Sequence, residues 1–307
     1  MSGNPSESAR LGDLVTEATD PRYAEIDKMT VGELAAAMNE ADTTVPGAIA
    51  RALPQITSAI ETAAERMKAG GRLIYVGAGT PGRLGVLDAS ECPPTYGTPP
   101  EQVFGIIAGG QSAIVSPSEG AEDDTDAAVA AIEAAAVGSL DTVVGVTSSG
   151  RTPYVLSAIR RARERGALTV GLSCNAGSPL SEAAEHAIEV IVGPEVVSGS
   201  TRLKAGTAQK LVLNMFSTIV MVQLGKTYGN LMVDVRATNG KLRERAIRIM
   251  RTVTGARRDE AISTLDRNDY NVKQAIVAFR LGLTPQEAMA RLVESSGRLR
   301  VALGERS

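Results

Sequence analysis

The stretch Gly71–Pro94, GRLIYVGAGTPGRLGVLDASECPP, sets the terms for reading the rest of the chain. An apolar, β-rich run from Leu73 to Val76 leads into Gly77, Gly79 and Gly82 at the G-x-G-x-x-G spacing, and a helix is expected to start just beyond. Two readings are open: a dinucleotide-binding turn, or a loop that holds some other phosphate on its backbone N–H groups. A dinucleotide site needs an acid at the end of the next strand, about 20 residues on, to bind the ribose hydroxyls. Here the next run, VFGII (103–107), continues into AGGQS with no acid at its end, and Glu101 lies before it. A sugar phosphate is the better occupant.

Outward from this loop, β-rich runs at 72–76, 103–107, 142–146, 168–172 and 187–192 alternate with helical segments at 83–89, 120–136, 153–165 and 179–184. Parallel strands need crossovers and bury both faces, so the alternation predicts an α/β fold, a parallel sheet covered by helices. Ahead of it, Val45–Gly71 has helical spacing that Pro54 is expected to interrupt and Gly70-Gly71 to end. From Asp234 onward the chain reads as short helices with no strand. The division expected is an N-terminal arm at 1–43, an α/β domain at 44–233 and a small all-helical domain at 234–307.

Composition narrows the partners. The chain has 307 residues, 43% of them hydrophobic, a formal charge of −3, 3% aromatic residues and no Trp. That leaves little for a basic, base-stacking nucleic-acid surface. The start has no basic segment followed by an apolar one, and the apolar stretch Leu211–Gly225 is too short to span a bilayer. A cytoplasmic protein with reduced Cys92 and Cys174 is expected, with no membrane partner. One histidine, His186, cannot build a His/Cys zinc cluster, and no cofactor is called for.

A second loop, TSSGRTP, concentrates Thr147, Ser148, Ser149 and Thr152 around Gly150 at a strand-to-helix junction. Phosphomonoesters carry about −1.5 to −2 charges at neutral pH, and such hydroxyls with a helix dipole can hold one. The plainer alternative is that Ser149 or Thr152 caps the helix. In GPEVVSGSTRLKAGTAQK (193–210), Ser198, Ser200, Thr201 and Lys204 could close over the sugar or its phosphate, or could form a capped helix start with a solvent-facing lysine. Two acids stand out. Glu91 is wedged between a small apolar segment and Pro93-Pro94, which is expected to stop regular structure. Glu122, in EGAEDD, is either functional or one of several acids, with Glu119, Asp123 and Asp124, that favour a helix N-terminus.

Taken together, GAGTPGRLGVLDASECPPT, IAGG, EGAEDD, SSGRTPYV, GLSCN, GPEVVSGSTRLKAGTAQK and NLMVDVRATN occur in an order and spelling that closely resembles the N-acetylmuramic acid 6-phosphate etherases. Those enzymes have the sugar isomerase (SIS) fold and are related to the glucokinase regulatory protein; the resemblance runs from about Thr16 to Arg298. It implies a SIS-type five-stranded parallel sheet, a homodimer with sites near the subunit boundary, and a cofactor-independent carbon–oxygen lyase. The implied reaction releases D-lactate from C3 of N-acetylmuramic acid 6-phosphate and leaves N-acetylglucosamine 6-phosphate. By the same resemblance Glu91 is the acid toward the departing oxygen and Glu122 the base toward the C2 proton. Gly79, Thr80, Gly82, Ser148, Ser149, Gly150, Thr152, Ser198, Ser200, Thr201 and Lys204 are the candidate sugar-phosphate contacts read from the loops themselves. The chain departs from the family pattern at Pro81, where Ser is usual, which removes a hydroxyl from the first loop. An aldose–ketose sugar-phosphate isomerase and a non-catalytic sugar-phosphate sensor are the alternatives on the same fold.

Overall fold

In the computed structural model, which describes residues 14–118 and 120–305, each β-rich run forms a strand. The order is α1 (Val31–Asp42), α2 (Val45–Lys68), β1 (Leu73–Gly77), α3 (Gly79–Tyr96), β2 (Val103–Ile107), α4 (Thr125–Ala134), β3 (Thr142–Val146), α5 (Pro153–Glu164), β4 (Leu168–Ser173), α6 (Pro179–Ala183), β5 (His186–Glu189) and α7 (Lys204–Gln223). Five helices follow: α8 (Gly240–Thr254), α9 (Arg258–Arg267), α10 (Val272–Leu281), α11 (Pro285–Glu294) and α12 (Leu299–Ala302). The strands pair in parallel in the order β2-β1-β3-β4-β5, with Leu73 opposite Val103 on one side and Thr142 on the other. The α/β sheet expected of the SIS fold, with a helical C-terminal region, is borne out.

Strand order locates the functional edge. The chain leaves β1 toward β2 and leaves β3 toward β4, in opposite directions, so the loops after β1 and β3 flank the switch point where open parallel sheets take ligands. Those are the GAGTPG and TSSGRTP loops. Ile74, Val76 and Val143 face a core completed by Ile132, Val155, Ile159 and Leu180 of α4, α5 and α6. Tyr75 points the other way, its ring-bearing Cβ pressed against Gly85 of α3. Beneath it Asp88, 6% exposed, accepts hydrogen bonds from Tyr75 Oη (2.8 Å), Asn214 Nδ2 (2.6 Å) and Ser217 Oγ (3.1 Å). Burial pushes the Asp88 carboxyl up, against the pull of those three donors. This buried node ties β1, α3 and α7 together.

Two proline readings are corrected. Pro54 does not interrupt its helix: α2 is continuous from Val45 to Lys68. Pro54 and Ala50, whose carbonyl loses its helical donor, both lie on the exposed face, where water can take the donor's place. The buried stripe Ala52, Ile56, Ala59, Ile60, Ala63, Met67 holds the helix straight through. Pro93 and Pro94 likewise do not stop α3, which runs on to Tyr96. Proline's fixed φ is helical; what it lacks is an N–H, and that deficit falls in the last turns, with Gly97 N closing the end on Pro93 O at 3.0 Å.

By compactness the described residues fall into two units, 14–89 with 101–217, and 90–100 with 218–305. The first holds the sheet. The second holds α8 to α12 around Ile247, Met250, Leu265, Ile276 and Leu292. Among the described residues, no helix is long and apolar enough to cross a membrane.

Candidate functional site

The first loop is shaped by a close approach. A Cβ on Gly82 would lie 2.7 Å from Ile107 Cγ1 and 2.8 Å from Gly77 O, so only glycine lets the first turn of α3 settle on the end of β1. Gly82 is therefore a packing position, and any help it gives a ligand comes through the shape of the turn. Pro81 occupies the first turn of α3, where a missing N–H breaks no helical bond but leaves the turn one donor short for an anion. The Thr80 hydroxyl makes no hydrogen bond to the described residues. Gly79 lines a cleft of about 210 Å³ together with Arg83, Ala108, Ser118 and Glu122.

Glu122 is thus placed beside the first loop. It sits in a 3-10 turn, Ala121–Asp123, and the capping of α4 is done by Asp124, whose Oδ1 accepts from Ala127 N at 2.8 Å. The capping explanation for Glu122 is taken by its neighbour, which leaves an exposed carboxylate on the cleft. Glu119 lies outside the described residues. Glu91 is exposed near the end of α3, in the part that belongs to the second compact unit, and is not among the residues that line this cleft.

In the second loop the hydroxyls bond to one another rather than to the helix. Thr147 Oγ1 is 2.7 Å from Thr152 Oγ1 and 3.3 Å from Ser149 Oγ, and Ser149 Oγ accepts from Arg151 N at 3.2 Å. Thr152 stands at the N-cap of α5 but makes no capping hydrogen bond. Gly150 has φ +72, and a Cβ there would strike Ser178 at 2.3 Å. Its carbonyl accepts from Leu180 N at 3.0 Å, which pins the loop to the start of α6. Ser148 is held by Gln209 Nε2, which donates to its Oγ at 3.0 Å, while its carbonyl accepts from Cys174 N and Asn175 Nδ2, both at 3.0 Å. Burial pushes the Cys174 thiol up to about 12, which makes it a packing group.

The third segment is organised by a residue that the sequence did not flag. Glu195, 1% exposed, accepts from Lys204 N and Ala205 N at 3.0 Å each and so caps α7. Lys204 is not solvent-facing. It is 4% exposed, its ammonium donates to Val192 O at 2.8 Å, and burial lowers its pKa against the pull of Glu195. Ser198 Oγ donates toward Glu17 O and Ala18 O at 3.2 and 3.3 Å. The hydroxyls of Ser200 and Thr201 make no hydrogen bond to the described residues.

Asn175, at the end of β4, was also missed. Its Oδ1 accepts from Val15 N at 2.8 Å, and its Nδ2 donates to Thr16 Oγ1 and Ser148 O at 3.0 Å each, so it joins the segment at 14–18 to the second loop. Asn175→Ala leaves Val15 N and Thr16 Oγ1 without their partner, while Ser148 O keeps its bond from Cys174 N. It is expected to destabilise the protein by about 2–4 kcal/mol, read as a lower urea midpoint; an unchanged midpoint would remove Asn175 from this role. The advance signal is a polar residue just past a fully buried strand.

Residues 55–163 match the family model of the glucokinase regulatory protein N-terminal SIS domain, and residues 125–219 match that of the SIS domain. A relative from Rubrobacter xylanophilus, an N-acetylmuramic acid 6-phosphate etherase, is 60% identical over 296 residues, covering 96% of this chain and 98% of its own. Etherases of the same name from Streptomyces avermitilis and Clostridium beijerinckii are 57% and 51% identical, covering 99% and 97% of this chain and 97% and 98% of their own. With identity that high sustained from end to end, the chain belongs to the N-acetylmuramic acid 6-phosphate etherase family.

Proposed function

We propose that the protein is a carbon–oxygen lyase that converts N-acetylmuramic acid 6-phosphate to N-acetylglucosamine 6-phosphate and D-lactate. The near-full-length identity to relatives of that name carries the reading. The local geometry supports it: two Gly/Ser/Thr loops flank the sheet's switch point, and the first shares a cleft with the exposed Glu122, which leaves the capping of α4 to Asp124.

An alkyl ether does not leave unaided. Ring opening exposes an aldehyde at C1, which makes the C2 proton acidic enough for a carboxylate to remove. In this reading the phosphate is held by Ser148, Ser149 and Thr152 around Gly150, with Gly79 and Thr80 of the first loop facing the sugar. Ser200 and Thr201 offer hydroxyls from the third segment, and Gly82, Ser198 and Lys204 act through the shape of their loops. Glu122 takes the C2 proton. The electron pair moves into a C2–C3 double bond as the C3–O bond breaks, and Glu91 gives its proton to the departing lactate oxygen. Glu91, now a carboxylate, removes a proton from water as the oxygen adds at C3, and Glu122 returns a proton to C2. The sum is one water consumed and one lactate released. We place this activity in the cytoplasm and in a homodimer, with the sugar phosphate held by residues 44–233.

The test is to incubate purified protein with N-acetylmuramic acid 6-phosphate in ¹⁸O-labelled water. D-lactate and N-acetylglucosamine 6-phosphate should appear in equal amounts, with the label at C3 of the sugar and none in the lactate. A ketose phosphate without lactate would replace the reading with isomerisation. Tight binding without turnover would replace it with a sensor.

A further inference from the structure

Gln209 is an amide buried on α7 beside the buried Ala205, Ala208, Val212 and Leu213. It has 0% exposed surface, its Nε2 donates to Ser148 Oγ at 3.0 Å, and its Oε1 is buried with no hydrogen-bond partner among the described residues. An unsatisfied buried carbonyl carries a desolvation cost. A Leu or Met would fill the same space on α7 without that cost, so packing alone does not account for the residue.

We propose that Gln209 is a positioning residue: by donating to Ser148 Oγ it turns the serine's own proton away from α7 and toward the bound phosphate. The proposal rests on the reading of the 147–152 loop as the phosphate holder. A hydroxyl has one proton and two lone pairs. Once a lone pair of Ser148 is taken by an amide N–H, the proton cannot be spent on that amide and must point to another acceptor. A dianionic phosphate is such an acceptor, and the bond formed is charge-assisted. The backbone of Ser148 is already fixed by Cys174 and Asn175, so the orientation of the hydroxyl is the remaining freedom, and Gln209 removes it.

The same stripe of α7 meets the first loop as well. Gly206, one turn before Gln209, would carry its Cβ 3.6 Å from Thr80 Cγ2. Residues three apart share a helix face. One face of α7 therefore lies near Thr80 of the loop after β1 and bonds to Ser148 of the loop after β3.

The experiment compares Gln209→Glu, Gln209→Met and Ser148→Ala with the unaltered protein, with calorimetric Kd values for N-acetylglucosamine 6-phosphate from pH 5 to 8. A carboxylate at this position accepts instead of donating, so it captures the Ser148 proton and adds charge beside the phosphate. The Glu variant should bind about 30-fold more weakly at pH 8. Relative to the unaltered protein at each pH, it should recover about tenfold by pH 5 as the introduced carboxyl, its pKa raised by burial, takes up a proton and donates again. The Met variant should bind about three- to tenfold more weakly at every pH. Lower thermal stability in both with unchanged Kd would overturn the proposal, and so would a loss in the Glu variant that does not respond to pH. Should the Glu variant not fold, an unchanged Kd in the Met variant overturns it alone. Ser148→Ala separates the two readings: if it binds normally, the phosphate loop is misassigned; if it binds weakly while neither Gln209 variant does, only Gln209 is.

Discussion

Glu91→Gln is expected to lower lactate release about 10²- to 10⁴-fold while Kd for N-acetylglucosamine 6-phosphate changes by less than about twofold. Glutamine keeps the shape of the side chain and removes the proton. The departing alkoxide is a far stronger base than any carboxylate, so without a positioned donor the C3–O bond must break with full charge on oxygen. Binding should survive because the groups proposed to hold the phosphate lie in the loops after β1 and β3. Folding should survive because Glu91 is exposed on α3, and surface substitutions cost about 0.5 kcal/mol or less. The informative feature is a split: with Glu122 intact, deuterium from solvent should still enter C2 of N-acetylmuramic acid 6-phosphate, because deprotonation precedes loss of lactate. Lactate release at the unaltered rate would remove Glu91 from the reaction. Loss of both lactate and exchange would make it the base rather than the acid.

What the sequence disclosed followed from pattern. Four-to-six-residue apolar runs between turn residues gave away the strands, and the density of Ser, Thr and Gly after two of them gave away the loops. Local rules fail at Pro54, where proline reads as an interruption, and at Pro93-Pro94, where it reads as a stop. Whether a proline breaks a helix depends on which face it occupies and how near the end it lies, and in α2 the buried stripe from Ala52 to Met67 outweighs one lost hydrogen bond on the wet side. The supporting residues were illegible for a different reason. Asn175, Glu195 and Gln209 are polar residues in no motif of their own, and nothing in their spacing says whom they meet. Their partners, Ser148 and the start of α7, are set by strand order and by how α7 lies on the sheet. Lys204 illustrates the converse: a lysine in a polar loop reads as exposed, yet the Val192 carbonyl and the adjacent Glu195 draw it inside.

Glu122→Gln is expected to abolish exchange of the C2 proton with solvent deuterium, by about 10²-fold or more, and lactate release with it. The amide is isosteric but has no basicity to offer. Both readouts fall together because no lactate can leave until C2 carries the electron pair, in contrast to the split expected at Glu91. The structure makes the control sharp: Asp124, not Glu122, caps α4, so Glu122→Gln should leave the urea midpoint unchanged, whereas Asp124→Ala should lower stability by about 1 kcal/mol with exchange intact. If capping were instead the task of Glu122, the two variants would exchange their effects. Unchanged exchange in Glu122→Gln would assign the C2 proton to another base, with Glu119, in the same acidic run of sequence, the next to replace. The cleft that Glu122 shares with Gly79 and Arg83 is what makes it the first choice, since a base must stand where the sugar can reach it before its strength matters.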